Sequence, residues 1–311
     1  MNFIDAPTVA QRLATTPLLE ALASMFALGC NTPVRHAHTL SVPGAADGSL
    51  LLMPSWQTGR YLGTKLVTVF PGNAARGLAA VSAIYILFDA TTGTPLAMMD
   101  GDELTGRRTA ATSALAARHL ARADASSLLV IGSGRIAREL AITHWEARPA
   151  LTRIAIWSRS TLRAQGLVAE LSARGLPAQH VADLRTGVAT ADLISTATLS
   201  TAPLLQREWI RPGTHLDLVG AFRPGMREAD DALVAASRIV CDTREGVLAE
   251  ADDIRIPLAR GLVQRSDLQE LSALCRGDTP GRRNAEEITL FKSVGAALED
   301  LAAAILVYET A

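Results

Sequence analysis

The 311-residue sequence predicts an α/β protein with two parts, one built on a parallel β-sheet flanked by helices and the other a mixed α+β domain. Two observations predict this. After residue 125, short apolar runs alternate with helical stretches, which is typical of βαβ units and a buried parallel sheet. Between residues 34 and 100, β-rich runs are joined by short turn sequences, which indicates largely antiparallel strands.

Two helices are predicted in the N-terminal part. Residues 7–29 carry apolar side chains three and four positions apart and end at Gly29, so we expect one amphipathic helix there. The segment Ala110–Ala123 is rich in Ala and Leu, which favour helix. We expect this second helix to begin at Thr109, directly after Arg108.

The strands of this part are predicted from β-branched and aromatic residues that lie between turn sequences. Thr64–Phe70 and Val81–Phe88 are the clearest examples. Pro71-Gly72-Asn73 follows the first run and Asp89–Gly93 follows the second, and both are tight-turn sequences. We therefore expect neighbouring antiparallel strands here.

Five short apolar runs predict the parallel sheet. They are Leu128–Ile131, Ile154–Trp157, Leu193–Ala197, Leu216–Val219 and Ile239–Cys241. Helical stretches or turns of suitable length separate most of these runs. Beyond them, the tail from Glu286 has the apolar spacing of one further amphipathic helix.

Composition excludes several classes of protein. The formal net charge of −1 gives no electrostatic basis for binding nucleic acid or an anionic membrane, and aromatic residues amount to only 4%. Because there is no signal peptide and no apolar run of about 20 residues, a cytoplasmic protein is expected. The acidic stretch Glu245–Asp253 is interpreted as a solvated surface.

Cysteine and histidine placement predicts no metal site. Cys30, Cys241 and Cys275 lie far apart and are expected to be free thiols in a reducing compartment. His36 and His38 alternate along a predicted strand and could share a face, but no acidic or thiol third ligand lies nearby in the sequence.

A glycine-rich turn carries the first functional prediction. Gly132-Ser133-Gly134-Arg135-Ile136-Ala137 follows the strand Ser127–Ile131 and opens a helix, which is the context of a Rossmann dinucleotide-binding domain. Gly132 permits the tight turn, Gly134 lets a pyrophosphate approach the backbone, and Ala137 lets the helix pack on the strand. The N–H groups at the start of the helix would bind the phosphates.

The end of the next strand indicates which dinucleotide binds. An NAD site usually places an acidic residue there to accept a hydrogen bond from the ribose 2′-hydroxyl. Here Ile154–Trp157 is followed by Ser158-Arg159-Ser160, which contains no carboxylate and could hold a 2′-phosphate. NADPH is therefore the expected cofactor, with NADH as an alternative and a plain surface role as the alternative for Arg159.

Three cations lie beside apolar segments of the N-terminal part: Arg35, Lys65 and Arg108. A charge inside a strand, such as Lys65, requires an anionic partner. Arg108 and the helix N-terminus expected beside it could serve one carboxylate together. Taken alone, each of the three could equally be a surface charge or one half of a salt bridge.

Seven stretches occur in an order that characterises one enzyme family. They are Pro33–Arg35, Leu51–Pro54, Gly63–Asn73, Arg107–Ser113, Ile131–Ile136, His215–Gly220 and Ser293–Asp300. On these stretches the chain resembles the ornithine cyclodeaminase/mu-crystallin family from end to end. The resemblance implies that Arg35, Lys65 and Arg108 hold the carboxylate of an amino or imino acid.

The resemblance also implies a domain plan and further cofactor contacts. A Rossmann domain over residues 121–287 is inserted in a substrate-binding and dimerisation domain over residues 1–120, which a C-terminal helix over 288–311 completes. The implied protein is a homodimer formed through that domain. Beyond the glycine-rich turn and Ser158-Arg159-Ser160, the expected cofactor contacts are Thr109, Thr196, Ala197, Val219 and Ser293. Local turn roles are the alternative for Thr196 and Ser293.

Departures from the family pattern select the reaction. Cyclodeaminases of the family carry a glutamate and an aspartate at the positions of Leu51 and Phe222, and an apolar side chain cannot exchange a proton or pair with an ammonium group. The segment from Phe222 onward instead resembles the ketimine-reducing branch. Leu51, Met53 and Phe222 would form an apolar wall for a cyclic imine, with Arg223 near the ligand.

The expected reaction is NAD(P)H-dependent reduction of Δ1-pyrroline-2-carboxylate, and with a tolerant apolar wall also of Δ1-piperideine-2-carboxylate, to L-proline and L-pipecolate. Lys65 is the side-chain candidate for a proton donor, because apolar and cationic neighbours lower the pKa of a lysine. Bulk water and a substrate bound as the iminium are alternatives. Three rival functions stay open: an alanine dehydrogenase, an ornithine cyclodeaminase, and a non-catalytic NADPH-dependent ligand-binding protein.

Overall fold

The computed structural model describes residues 2–310, apart from the side chains of Asn2 and Ala74, and the chain divides into two compact units. The first unit comprises the residues up to Arg108 together with those from Ala296 onward, and the second is Thr109–Gly295. These boundaries differ from the predicted ones at 120 and 288. None of the helices within residues 2–310 is both long and apolar enough to cross a membrane.

Strands and helices alternate along most of the chain. The strands are β1 (Asn2–Ile4), β2 (His36–Leu40), β3 (Gly48–Trp56), β4 (Tyr61–Val69), β5 (Val81–Asp89), β6 (Pro95–Asp100), β7 (Ser127–Ile131), β8 (Arg153–Trp157), β9 (Ala178–His180), β10 (Leu193–Thr196), β11 (His215–Leu218), β12 (Arg238–Cys241), β13 (Gln269–Glu270) and β14 (Thr289–Lys292). The α-helices are α1 (Ala6–Arg12), α2 (Thr15–Leu28), α3 (Gly101–Leu120), α4 (Arg135–Ala147), α5 (Thr161–Ala173), α6 (Leu184–Thr190), α7 (Asp231–Ala235), α8 (Arg244–Glu250), α9 (Asp252–Ala259), α10 (Leu271–Arg276) and α11 (Ala297–Glu309).

The first unit is built on a six-stranded sheet in the order β1-β6-β5-β4-β3-β2. All neighbours pair antiparallel except β1, which is parallel to β6, so the predicted antiparallel region is confirmed. The connection predicted as a tight turn at Pro71 is longer and contains a short 3₁₀ helix over Pro71–Arg76. The turn at Asp89 is tight, because its carboxylate accepts hydrogen bonds from the N–H groups of Thr91 and Thr92. Helix α11 packs on β3, β4 and β5 and against α2.

The helix predicted over residues 7–29 is in fact two helices, α1 and α2, with a break at Leu13. Pro17 lies in the first turn of α2, where its missing N–H is tolerated. In one continuous helix Pro17 would remove the hydrogen bond to the carbonyl of Leu13 and clash with it. The predicted end at Gly29 is confirmed, and Gly29 has the positive φ of +75° that favours glycine.

Helix α3 begins at Gly101, so the prediction that places Arg108 at a helix N-terminus is wrong. The side chain of Asp100 accepts a hydrogen bond from the N–H of Glu103 at 2.7 Å and so begins the helix two turns earlier. Gly106 is a poor helix former and Thr105 before it a weak one, and for this reason composition indicated a later start. Arg108 therefore acts through its side chain alone.

The second unit is built on an eight-stranded, fully parallel sheet in the order β13-β12-β14-β11-β10-β7-β8-β9. All five predicted apolar runs are strands of this sheet. Along β7, Leu128 and Val130 pack into one apolar cluster, whereas Leu129 and Ile131 pack into another. Both faces are therefore covered, as a parallel sheet requires.

The tail predicted as one helix from Glu286 begins with a strand, so that part of the prediction is wrong. Thr289–Lys292 forms β14 between β11 and β12, and α11 begins only at Ala297. Short apolar runs fit a buried strand and a buried helix equally well, because both are apolar all round. Periodicity alone therefore could not separate the strand from the helix.

Candidate active site

The predicted cofactor residues of the second unit lie along one edge of the parallel sheet. Trp157, Ile131, Thr196, Leu218 and Lys292 are aligned across β8, β7, β10, β11 and β14. The residues that follow these strand ends are Ser158, Gly132, Ala197, Val219 and Ser293. Because the strand order reverses between β7 and β10, this edge is where a doubly wound sheet binds a dinucleotide.

The glycine-rich turn has the space that a pyrophosphate needs. Gly132 has a φ of +138°, and a Cβ there would lie 2.7 Å from the carbonyl oxygen of Ala197. Gly134 precedes α4 with no side-chain cap, and a Cβ there would meet no atom within 4 Å. Arg135 and Ile136 form the first turn of α4, with Arg135 exposed and Ile136 half-buried. Gly132 therefore fits the turn itself, whereas Gly134 leaves open space for a ligand.

The serines after β8 are already hydrogen-bonded within the chain. The Ser133 hydroxyl donates to Ser158 Oγ at 3.1 Å, and Ser158 Oγ donates to the carbonyl of Ser160 at 3.1 Å. The Ser160 hydroxyl accepts from the N–H of Arg163 and begins α5. Arg159 between them is exposed. The structure thus brings Ser133 and Ser158 together and leaves the Arg159 guanidinium on the surface.

Two other predicted cofactor residues use their hydroxyls inside the protein. Thr196 is buried, and its hydroxyl donates to the carbonyl of Asp217 at 3.3 Å. Ser293 is also buried, and its hydroxyl donates to Asp242 Oδ2 at 3.1 Å. Thr109 is buried within α3. A cofactor contact by Thr196 or Ser293 would therefore use the backbone or accept a hydrogen bond at Oγ.

A buried carboxylate, Glu228, joins the segments that follow β10 and β11. Its Oε1 accepts from the N–H and hydroxyl of Thr198 at 2.9 and 2.8 Å, and its Oε2 accepts from the N–H of Gly220 at 2.9 Å and of Ala221 at 3.3 Å. The approach is so close that a Cβ at Gly220 would lie 2.1 Å from the Thr198 carbonyl oxygen. Glu228 therefore fixes the distance between two of the segments at the cofactor edge.

Asp253 and Lys292 complete this buried cluster. Asp253 Oδ1 accepts from the N–H groups of Glu228 and Ala229 at 2.9 and 3.0 Å. Lys292 Nζ donates to the carbonyl of Leu218 at 3.0 Å and lies 3.5 Å from Asp253 Oδ2. The prediction that the stretch ending at Asp253 is a solvated surface is therefore wrong for this residue. Its carboxylate is buried and accepts hydrogen bonds from backbone N–H groups.

In the first unit, the predicted carboxylate-binding cations meet two acidic residues of α11. Lys65 Nζ donates to Asp300 Oδ1 at 2.9 Å and lies 2.7 Å from Oδ2, while Arg108 Nε donates to the same Oδ1 at 2.8 Å. Arg108 also donates from its terminal nitrogen to Glu299 Oε2. Lys65 is 2% exposed and Arg108 4%. Both cations are thus buried and paired within the chain.

The charges around Lys65 set its protonation. Burial lowers the pKa of Lys65 to about 8, and the nearby charges of Arg108 and Arg35 add to this effect, while Asp300 opposes it. For Arg108, burial also acts to lower the pKa, but Asp300 and Glu299 outweigh burial and raise it. The lowered pKa expected for Lys65 is thus found, its role as a proton donor stays a prediction, and Arg108 is a permanent cation.

An apolar row lies on the same sheet face as Lys65. Met53 on β3 and Tyr85 on β5 are aligned with Lys65 on β4, and Leu51 lies two residues before Met53. Residues aligned across antiparallel strands, and residues two apart along a strand, point to the same face. Met53 and Tyr85 are buried, and Leu51 is half-buried. Two members of the predicted apolar wall thus lie beside the cations.

Phe222 and Arg223 belong to the second unit, in the segment after β11. Phe222 has 39% of its surface exposed, and Arg223 is exposed as well. Their assignment to the ligand stays a prediction from resemblance.

The described residues show no metal-binding arrangement. Within residues 2–310, no group of three His, Cys, Asp or Glu side chains is placed to hold a metal ion. The cysteines are free thiols as predicted, with Cys241 buried and Cys30 and Cys275 half-buried. His36 and His38 are exposed on β2.

Comparison with known proteins decides the family. Residues 8–311 match the ornithine cyclodeaminase/mu-crystallin family. The chain belongs to this family. Its fold class and its family are therefore as predicted from the sequence.

Proteins similar to this chain include reductases and a dehydrogenase. The chain is 37% identical to the Δ1-pyrroline-2-carboxylate reductase of Paracoccus denitrificans, with 86% of this chain and 87% of the relative covered. The structure of the Thermococcus litoralis Δ1-pyrroline-2-carboxylate reductase in complex with NADH and L-proline matches with a TM-score of 0.92 at 32% identity, covering 99% and 97% of the two chains. An archaeal alanine dehydrogenase dimer with bound NAD matches with a TM-score of 0.89 at 29% identity, covering 99% and 94%.

The carboxylates that hold the substrate site and the cofactor site together were not predicted from the sequence. Glu299 and Asp300 carried a signal, because two adjacent acids among the apolar residues of a predicted helix require buried cations as partners. Glu228 and Asp253 carried a weaker one, since each has polar residues beside it in the sequence, which is equally compatible with exposure. Only the fold shows that their oxygens face backbone N–H groups.

Proposed function

We propose that this protein is an NAD(P)H-dependent reductase of cyclic ketimines that carry a carboxylate, with Δ1-pyrroline-2-carboxylate as substrate and L-proline as product. The observation that carries the proposal is that Lys65 and Arg108 meet at Asp300 on the sheet face that also presents Leu51 and Met53. Cations beside an apolar surface suit a small ring with one carboxylate. Reduction of the six-membered Δ1-piperideine-2-carboxylate to L-pipecolate is part of the proposal, because one methylene changes binding in an apolar pocket by only about 1–3 kcal/mol.

In the proposed reaction the residues of the first unit hold the substrate. Lys65, Arg108 and Arg35 bind its carboxylate, and the near-complete burial of the first two strengthens each ionic hydrogen bond relative to water. Leu51 and Met53 cover the ring. When bound, the nicotinamide supplies the hydride that reduces the C=N bond. Because positioning contributes most of the rate in such a reaction, few other groups are needed.

The proposal extends to the preferred dinucleotide and to the oligomeric state of the protein. We infer NADPH as the preferred cofactor, because Arg159 is exposed at the end of β8 and no carboxylate lies in the segment that follows. We also infer a homodimer that forms through the first unit. The archaeal alanine dehydrogenase dimer supports the assembly, and the NADH and NAD complexes of the two structural relatives support a nicotinamide dinucleotide.

Oxidation of NADPH and NADH with each cyclic imine tests the reaction, with Lys65→Met and Arg108→Lys as variants. Lysine replaces Arg108 because an uncharged residue would leave Glu299 and Asp300 buried with too little compensation, at a cost of about 3–5 kcal/mol. We expect each variant to lower kcat/KM by about 100-fold, since a charged hydrogen bond contributes about 1.5–3 kcal/mol. The matched control is Arg107→Ala, whose guanidinium pairs with Glu103 instead.

Wild-type rates in both variants would contradict the proposal that Lys65 and Arg108 bind the substrate carboxylate. The rival functions have distinct outcomes in the same assays. NADH oxidation that requires pyruvate and ammonium indicates an alanine dehydrogenase. Ammonia release from ornithine without net change in cofactor absorbance indicates a cyclodeaminase. Tight NADPH binding without oxidation by any imine indicates a ligand-binding protein.

A further inference from the structure

The two lysines of this protein are both buried. Lys65 and Lys292 are the only lysines in the sequence, and every other side-chain cation is an arginine or a histidine. Lys65 is 2% exposed and Lys292 is fully buried. Because an arginine side chain does not release its proton in proteins, these two ammonium groups are the only long-chain cations that could donate one.

The surroundings of the two lysines differ. Lys292 Nζ donates to the backbone carbonyl of Leu218, and the side chain ties β14 to β11. Lys65 Nζ contacts the two oxygens of Asp300 instead. An ammonium group has three N–H donors, and Asp300 accounts for at most two of them. Lys65 therefore keeps a donor direction for a ligand and lies beside Met53 of the proposed apolar wall, whereas Lys292 is enclosed in the second unit between Leu218 and Asp253.

We propose that Asp300 is a positioning residue that keeps Lys65 protonated and correctly oriented, so that Lys65 supplies the proton consumed when the C=N bond is reduced. This inference rests on the proposed ketimine reductase function. Asp300 itself does not need to touch the substrate. Its role is to hold the charge and the direction of the Lys65 ammonium group.

Asp300 is held rigidly enough for this role. Its Oδ1 accepts from both Lys65 Nζ and Arg108 Nε, so the carboxylate cannot turn away from the lysine without losing the arginine. The same Arg108 is anchored by Glu299, the preceding residue of α11. The start of α11 is fixed in turn by Ser55, whose hydroxyl donates to the carbonyl of Ala297 at 2.9 Å.

The charged and titratable groups that face Lys65 come from three elements and from the segment before β2. Asp300 on α11 favours the ammonium form, whereas Arg108 on α3 and Arg35 before β2 disfavour it, together with burial. Tyr85 on β5 faces Asp300 and, being buried, has a pKa well above its usual value, so it remains a neutral phenol. Removal of the Asp300 charge would therefore leave Lys65 with influences that all favour the neutral amine.

The proton transfer balances with the proposed reduction. One hydride from the reduced nicotinamide, which thereby becomes oxidised, adds to the imine carbon, the C=N π electrons move to nitrogen, and that nitrogen takes a proton from Lys65 Nζ. Lys65 is left as a neutral amine and regains a proton from water. The product is the cyclic secondary amine with its carboxylate unchanged.

Lysine NMR tests the inference without any substrate. A protein labelled with ¹³C at lysine Cε gives two side-chain signals, of which Lys292 is the internal reference. In Asp300→Asn we expect the pKa of Lys65 to fall from about 8 by roughly 1–3 pH units, the effect of losing an adjacent opposite charge. In the control Glu299→Gln, which removes a neighbouring carboxylate that contacts Arg108, we expect less than half of that change. An unmoved Lys65 signal in a folded Asp300→Asn protein overturns the inference.

A second variant keeps the test decisive if Asp300→Asn does not fold. Lys65→Arg retains the ion pair but cannot release a proton, so we expect kcat to fall by about 100-fold or more, with KM changed less than about 3-fold. An unchanged kcat in Lys65→Arg overturns the inference. A wild-type protein that reduces no cyclic imine contradicts the proposed function, whereas the NMR result decides the role of Asp300 independently.

Discussion

The hydroxyl groups of Ser133 and Ser158 lie 3.1 Å apart and join the glycine-rich turn after β7 to the end of β8. Ser158 is also bonded to the backbone of Ser160, whose own hydroxyl begins α5. These serines shape the segment expected to meet the adenosine ribose. Of the three residues after β8, Arg159 is the one whose charge distinguishes a 2′-phosphate from a 2′-hydroxyl.

Arg159→Ala should weaken NADPH far more than NADH. A charged hydrogen bond to a phosphate contributes about 1.5–3 kcal/mol, so we expect KM for NADPH to rise about 10- to 100-fold and KM for NADH to change less than about 2-fold. Steady-state kinetics with both cofactors measures this. The control is Arg163→Ala on α5, which removes an exposed arginine nearby. Equal effects of Arg159→Ala on both cofactors would contradict the NADPH preference.

Alanine at the two glycines of the turn should have separable effects. Gly132→Ala forces a φ of +138° on an L-residue and places Cβ against Ala197, so we expect a loss of stability of about 1–3 kcal/mol even without cofactor. Gly134→Ala has an ordinary φ of −94° and open space around Cβ, so the unfolding temperature should change little. That Cβ would instead occupy the space we assign to the pyrophosphate.

The two variants are compared by thermal unfolding without cofactor and by fluorescence titration with NADPH. We expect Gly134→Ala to unfold at the wild-type temperature and to bind NADPH at least about 10-fold more weakly, the effect of losing one charged hydrogen bond or more. Wild-type affinity in Gly134→Ala would show that the phosphates do not approach this glycine.

The parallel sheet could be predicted because of where its strands lie. Strands buried on both faces have uninterrupted apolar runs, and β7, β8, β10, β11 and β12 were each recognised in this way. The strand β14 was not, because Thr289–Lys292 passes within a few residues into the apolar helix α11. The start of α3 was also missed, because Gly106 has a low helix propensity that tertiary packing overrides.

The cations of the substrate site could be predicted from the sequence, but its carboxylates could not. Lys65 and Arg108 attract notice because a charge in an apolar segment needs a partner. That partner, Asp300, is separated from Lys65 by more than two hundred residues of sequence, and no local pattern links them. Buried ion pairs depend on which elements the fold brings together, so their existence can be predicted from sequence but their members cannot.

Glu228→Gln should disturb the cofactor edge of the second unit. A glutamine has one acceptor oxygen, so it cannot accept from both Thr198 and Gly220, and its NH₂ group would face backbone donors. We expect a loss of stability of about 2–4 kcal/mol and weaker NADPH binding. Urea unfolding and NADPH titration measure the two effects. Glu245→Gln, an exposed acid on α8, is the control, and matching behaviour of the two variants would contradict the role of Glu228.

The free energy of unfolding should depend on a buried pair in β11, His215 and Asp217. His215 Nε2 lies 2.9 Å from Asp217 Oδ1, and both side chains are buried. Burial lowers the pKa of His215 more than Asp217 raises it, so the imidazole is neutral in the folded protein. For Asp217, burial acts to raise the pKa, but its interaction with His215 and the hydrogen bonds from the His144 and His215 rings outweigh burial and hold the pKa well below its usual range.

The two groups lose their contribution to stability in different pH ranges. An unfolded histidine takes up a proton near pH 6.5, so the unfolded state binds more protons than the folded state as the pH falls below about 6.5. The Asp217 contribution is present above about pH 3.9 and is lost as the pH falls further. As the pH falls, the free energy of unfolding should therefore decrease first because of His215 and, at lower pH, because of Asp217.

His215→Gln tests the first range. Wild-type protein should lose up to about 1.4 kcal/mol per pH unit through this residue between pH 6.5 and 5, and the variant should lack that component of the slope. Urea unfolding at pH 7, 6 and 5 is followed by tryptophan fluorescence, which reports mainly on the second unit because three of the four tryptophans, Trp145, Trp157 and Trp209, lie there. His38→Gln on exposed β2 is the control. A neutral buried imidazole makes the stability of the wild type fall more steeply with decreasing pH than that of His215→Gln. Equal slopes of the free energy of unfolding against pH in the two proteins would therefore show that His215 is not neutral in the folded protein.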